Sequence, residues 1–128
     1  MGDHEFLEYV AGLCRRDGCT GVRRVGGSAA LGLVLTGRLP DGRTCVVRCG
    51  RETSADRFVD RGLLRGFHHA ARAELGAEVT AFVALGALTK GARRFAAGRG
   101  LLVIDGDRLH AWSPGTPLYV LRERAAAA

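Results

Sequence analysis

The chain has 128 residues, 47% hydrophobic and 25% charged with only 3 Pro, which is the composition of a single globular domain and excludes a multidomain machine or a disordered chain. The formal net charge is +6, nearly all of it carried by arginine because Lys90 is the single lysine, and the excess is larger in residues 65–128 than in 1–64. No apolar run approaches the roughly eighteen residues of a membrane span, and the acidic start MGDHEF is unlike a basic secretory leader, so the expected location is the cytoplasm.

Phe6, Val10, Leu13 and Cys14 recur at helical spacing and predict an amphipathic helix from about Glu5 to Asp17, stopped by Gly18. Val22–Val25 reads as a short strand, Gly26-Gly27 as a turn, and Gly32–Leu39 as a second strand. Pro40-Asp41-Gly42 is a turn in which Pro presets φ and Gly takes a positive φ; it joins that strand to Thr44–Cys49 as a hairpin. Thr53 or Ser54 caps a helix running to Leu75, with Gly62 and Gly66 as its weak points and Gly76 closing it; Leu63, Leu64, Phe67, Ala71 and Leu75 form its apolar face.

Val79–Leu85 is a nearly unbroken apolar run, short enough for a strand covered on both sides. Thr89 caps a helix through Arg99 that turns Ala92, Phe95 and Ala96 inward. Leu101–Ile104 is a buried strand ended by Asp105-Gly106, and Asp107–Trp112 a last short helix with Trp112 and Leu109 as a lid on the core. The order α-β-β-β-α-β-α-β-α predicts an α/β fold: a mixed sheet of about five strands, with parallel crossovers in its second half and helices on both faces. One domain is expected over residues 1–121, with 122–128 as a tail.

Cys14, Cys19, Cys45 and Cys49 lack CxxC spacing. Cys45 and Cys49, four apart on a strand, lie about 13 Å from one another at roughly 3.3 Å per residue, too far for a shared metal or a disulfide, so buried free thiols are expected. His68 and His69 point about 100° apart on a helix and cannot chelate together, which reads as a helix-surface pair. His4 and His110 are isolated, and Gly26-Gly27-Ser28 lacks the Lys-Ser/Thr ending of a phosphate loop.

Two blocks carry a resemblance, GVRRVGGSAALGLVLTGRLPDGRTCVVRCGR and LGAEVTAFVALGALTKGARRFAAGRGLLVIDGDRLHAW. Together they resemble the Mrr-type restriction endonuclease domain of the PD-(D/E)xK nuclease superfamily, over roughly Phe6 to Trp112. The resemblance implies the restriction-endonuclease-like fold in the element order derived above, and DNA cleavage with a divalent metal such as Mg²⁺. In that family an Asp on the second strand and a Glu or Gln on the third bind the metal, with a Lys two residues further on; i, i+2 spacing turns both third-strand groups toward one phosphate.

Carried over residue by residue, the family's G-D-x-G-x-D falls on Ala29-Ala30-Leu31-Gly32-Leu33-Val34, and its V-Q-C-K-R on Val47-Arg48-Cys49-Gly50-Arg51. The metal-binding Asp is Val34, the Glu or Gln is Arg48, and the Lys is Gly50. A valine has no oxygen, an arginine repels a cation, and a glycine has no ammonium. Sliding the register does not repair this, because residues 27–39 contain no acid and residues 44–50 neither acid nor lysine.

Three readings follow. In the first the domain is a catalytically inactive nuclease fold, without metal or other cofactor, that binds DNA or acts as an assembly module in a DNA-related or defence setting. Its phosphate contacts would come from Arg23, Arg24, Arg48, Arg51, Lys90 and Arg93, with Arg48 turning the old active site into an open anion site if it is solvent-accessible. Arg94 shares the basic start of that later helix. In the second, Glu52, Asp56 or Asp60 has taken over metal binding and Mg²⁺-dependent cleavage persists. Glu8 reads as a solvated residue beside Arg15-Arg16. In the third, the domain is a protein-interaction or homodimerisation module whose basic surface is incidental.

Overall fold

The computed structural model describes residues 3–49 and 58–112. Its elements are α1 (Asp3–Arg16), β1 (Thr20–Gly26), β2 (Leu33–Arg38), β3 (Thr44–Arg48), α2 (Arg61–Leu75), β4 (Val79–Val83), α3 (Lys90–Arg99), β5 (Leu102–Ile104) and α4 (Gly106–Trp112). The strands form one sheet in the order β1-β2-β3-β4-β5. β1, β2 and β3 pair antiparallel, whereas β3-β4 and β4-β5 pair parallel, so the sheet is mixed as the alternation of elements predicts. Both parallel connections step the same way across the sheet, and a common handedness puts their helices, α2 and α3, on one face.

Two cores result. On one face α1 and α4 bring Leu7, Val10, Leu13 and Trp112 against Leu35, Val47, Ala81 and Ile104. On the other, α2 and α3 bring Leu64, Phe67, Ala92 and Phe95 against Val34, Val46 and Phe82. All five residues of β4 are buried, which explains why its sequence does not alternate. Each fully buried Leu, Val or Phe side chain contributes about 1.5–3 kcal/mol, so the paired cores rather than the short helices hold the domain together. Trp112, fully buried, joins α4 to α1: its Nε1 donates to Asp17 Oδ2 at 2.6 Å and its carbonyl accepts from Arg16 Nη2 at 2.6 Å.

Local chemistry sets most element ends. α1 closes with Cys19 N–H donating to Cys14 O at 3.0 Å around Gly18, whose φ is 93°. α3 starts at Thr89, whose hydroxyl accepts from Ala92 N at 3.2 Å, and stops at Gly100 in the left-handed conformation. The hairpin turn is secured by Gly42 at φ 91° and by Asp41 Oδ1 accepting from Arg43 N at 3.0 Å. The start of α2 differs from expectation. Thr53 and Ser54 lie outside the described residues, and α2 is capped instead by Asp60, whose Oδ1 accepts from Leu63 N at 2.8 Å. It starts there because Val59 is held extended in a parallel bridge to Leu88. Gly62 and Gly66 sit inside the helix without breaking it.

All four cysteines are free; Cys14, Cys45 and Cys49 are buried and Cys19 is half-buried. Among the described residues no helix is long and apolar enough to cross a membrane. The predicted tail, 122–128, lies outside them.

Candidate functional site

Antiparallel pairing puts Val34 opposite Arg48, and parallel pairing puts Arg48 beside Phe82, so these three stand abreast on the face covered by α2 and α3. Val34 is 0% exposed and packed into the apolar core. Arg48 is 9% exposed: its Nη1 donates to Ala30 O at 2.8 Å and reaches Leu31 O at 3.4 Å, and its Cζ lies 5.8 Å from the Phe82 ring centroid. Burial pushes its guanidinium down from the ordinary value, which for arginine is so high that the charge is kept. The expectation of an accessible Arg48 forming an open anion site is therefore corrected. The guanidinium is buried and donates to backbone carbonyls of the loop before β2.

The loop is itself built to receive it. Ser28 Oγ donates to Glu74 Oε2 at 2.5 Å and accepts from Leu31 N at 3.2 Å, which ties the turn to α2. Gly32 N donates to Ser28 O at 2.9 Å, with Gly32 at φ 68°. Glycine is favoured here by its left-handed conformation, and a Cβ on it would come within 3.1 Å of Arg48 Cζ and oblige the arginine to shift. Leu31, at a variable position of the family motif, is fully buried.

This pocket does not fit a divalent metal. Mg²⁺ takes oxygen ligands, usually one or two carboxylates, and the two strand positions offer an alkyl group and a fixed cation. Among the described residues no three His, Cys, Asp or Glu side chains are grouped to hold a metal ion. Gly50, Arg51, Glu52 and Asp56 lie outside the described residues. Asp60, the remaining candidate for a relocated ligand, has its carboxylate in the α2 cap. Glu8 pairs not with Arg15 or Arg16 but with Arg24, Oε1 to Nε at 3.3 Å.

Among the described residues the basic side chains do not converge on one site. Arg24 stands opposite Leu35 and so on the α1 face, whereas Arg23 stands opposite Thr36 on the α2 face. Lys90 and Arg93 are exposed at the start of α3, which follows the C-terminal end of β4 and so lies at the Arg48 end of the sheet. Arg93 lines a cleft of about 350 Å³ with Arg108, whose Nη1 is paired to Asp105 Oδ2 at 3.0 Å.

The histidine expectation also changes. His69 is exposed, but His68 is buried and its Nδ1 lies 2.8 Å from Thr80 Oγ1. Burial, with Arg72, His69 and Arg99 adding to it, lowers its pKa. The signal was in the sequence: His68 shares the helical period of Leu64, Ala71 and Leu75, so it belongs to the inward face, where the Thr80 hydroxyl of β4 meets it.

With this geometry in hand, the family model of the restriction endonuclease Mrr_cat matches residues 1–113. The chain belongs to the Mrr_cat family. None of the curated proteins compared with it matches. Among solved structures, the Mrr_cat domain described here is similar to EndoMS in its apo form (TM-score 0.53, 22% identity, 80% of this chain and 45% of that one). It is similar to EndoMS in a dsDNA complex as well (TM-score 0.55, 22% identity, 81% and 44%). A repair endonuclease from Pyrococcus abyssi is also similar (TM-score 0.47, 18% identity, 79% and 44%). The likeness to EndoMS shows that this Mrr_cat chain has the restriction-endonuclease-like fold, and the chain spans a little under half the length of these structures.

Proposed function

We propose that this Mrr_cat domain is catalytically inactive and binds the DNA backbone without metal. One observation carries the reading: Val34 and Arg48, abreast on β2 and β3, fill the position where the family motif places its metal-binding side chains, with a buried alkyl group and a guanidinium already bonded to Ala30 and Leu31. A net charge of +6 supports a polyanion partner, and a fold neighbour, EndoMS, has been captured with dsDNA. The backbone contacts proposed are Arg23, Lys90 and Arg93, which are exposed, and Arg51; Arg24 joins them only by giving up Glu8.

Purified protein incubated with methylated and unmethylated plasmid in Mg²⁺ or Mn²⁺ tests the first half, beside calorimetric titration of either ion. The expected result is intact plasmid and no binding heat. Cleavage abolished by Glu52→Ala or Asp56→Ala would establish relocated ligands in place of the inactive reading. Titration of duplex DNA at several salt concentrations tests the second half, with affinity expected to fall steeply as salt rises. Absence of binding at low salt would leave the interaction-module reading.

A further inference from the structure

A second basic feature lies at the opposite end of the sheet from Arg48. β1 begins, β2 ends and β3 begins there, and the C-terminal turn of α2 stops at Leu75 without covering the strands. This leaves a cleft of about 440 Å³ walled by Arg23, Arg38, Thr20, Thr36, Thr44 and Leu75. The register explains how these residues meet. Thr20 pairs with Arg38, Arg38 with Thr44, and Arg23 with Thr36, so three adjacent strands contribute to one surface.

A register shift between Thr20 and Arg23, of the kind a β-bulge makes, interrupts the β1–β2 ladder beside the cleft. Gly21 takes φ 62° there, and opposite it a Cβ on Gly37 would sit tightly against Thr20 O at 3.2 Å. Bulges sharpen the twist of an edge strand and re-aim its side chains. Here two arginines and three threonines line one cavity, with Leu75 at the tip of α2 as its apolar side chain among the described residues.

We propose that this cleft is a phosphate site, taking a phosphodiester of a DNA strand at a point distinct from the degenerate Val34–Arg48 pocket. The DNA source of the phosphate rests on the function proposed above. The chemistry of the cleft selects the ligand. Guanidinium forks match phosphate oxygens, and threonine hydroxyls donate to the same oxygens without adding charge. Arg38 commits Nη1 to Gly42 O at 3.0 Å and keeps its other donors, and Arg23 makes no ion pair among the described residues. The carboxylate beside the rim, Glu78, is turned to the backbone: its Oε1 accepts from Thr44 N at 3.3 Å.

The test uses the full chain with two probes, a duplex of about 20 base pairs and inorganic pyrophosphate. Arg23→Ala/Arg38→Ala is compared with Arg65→Ala/Arg99→Ala, which removes the same charge elsewhere, both checked for an unchanged melting transition. The cleft variant is expected to bind duplex about ten-fold more weakly than the control at low salt, with a salt slope smaller by about one per arginine removed. Equal duplex affinity in the two variants would overturn the site while leaving DNA binding intact. If the wild type binds no DNA, amide shifts of Thr36 and Thr44 on adding pyrophosphate, lost in the cleft variant, would uphold the site with free phosphate as its ligand. No duplex binding and no such shifts would overturn the site together with DNA binding.

Discussion

Arg48 stands in register with Val34 across the β2–β3 pair, and its guanidinium continues to the carbonyl oxygen of Ala30, 2.8 Å away. Side chains of these two types, adjacent on one buried face, leave no oxygen for a cation and anchor the loop that precedes β2.

Arg48→Ala removes those bonds and the contact with Phe82. Because hydrogen bonds to a charged group are worth about 1.5–3 kcal/mol each, the variant is expected to lose about 2–3 kcal/mol, read as a lower urea midpoint. Lysine, which lacks the planar fork, should not restore it. A wild-type midpoint for Arg48→Ala would show that the guanidinium holds nothing.

Val34→Asp puts a carboxylate in an apolar core, but directly across from a cation. The substitution is expected to lower the melting temperature, and to cost at least about 1 kcal/mol more when Arg48 is replaced by Met, which a double-mutant cycle measures. Additive effects would mean that the two side chains do not meet.

Gly32→Ala forces a Cβ into the left-handed region and to within 3.1 Å of Arg48 Cζ. The conformational part alone is about 1–2 kcal/mol. Crowding of the arginine should add to it, so the loss is predicted to shrink in an Arg48→Ala background. An equal loss in both backgrounds would separate the glycine from the arginine.

His68 has a pKa lowered by burial, so the native state holds it neutral while the unfolded chain protonates it at about 6.5. Between the lowered value and about 6.5 the unfolded state binds more protons, and stability therefore falls as pH drops through that window. Thermal melts from pH 7.5 to 5 should show this decline in the wild type and a flatter profile in His68→Gln. Parallel profiles would assign the pH dependence to other groups.

Much of the fold was legible along the chain. α3 starts at Thr89 and ends before Gly100 because both caps are local chemistry, and β4 reads as a nearly unbroken apolar run because it is covered on both faces. The start of α2 was not legible. Asp60 became its cap only because Val59, just before it, is held by Leu88, a residue far along the chain. Arg48 shows the same limit: a charged side chain on a strand carries no mark of whether other segments will cover it.

The amino-acid sequence by itself determined the α/β alternation and the absence of any acid from residues 27–39 and of any acid or lysine from residues 44–50, since both are properties of residue type and spacing. Tertiary structure alone decided that Arg48 is a buried strut and not an open cation, that Arg24 answers Glu8, and that Arg23 joins Arg38 in a cleft at the far end of the sheet. The reason is physical: exposure and partnership depend on what distant segments lay against a strand, and a strand's own residues do not encode that.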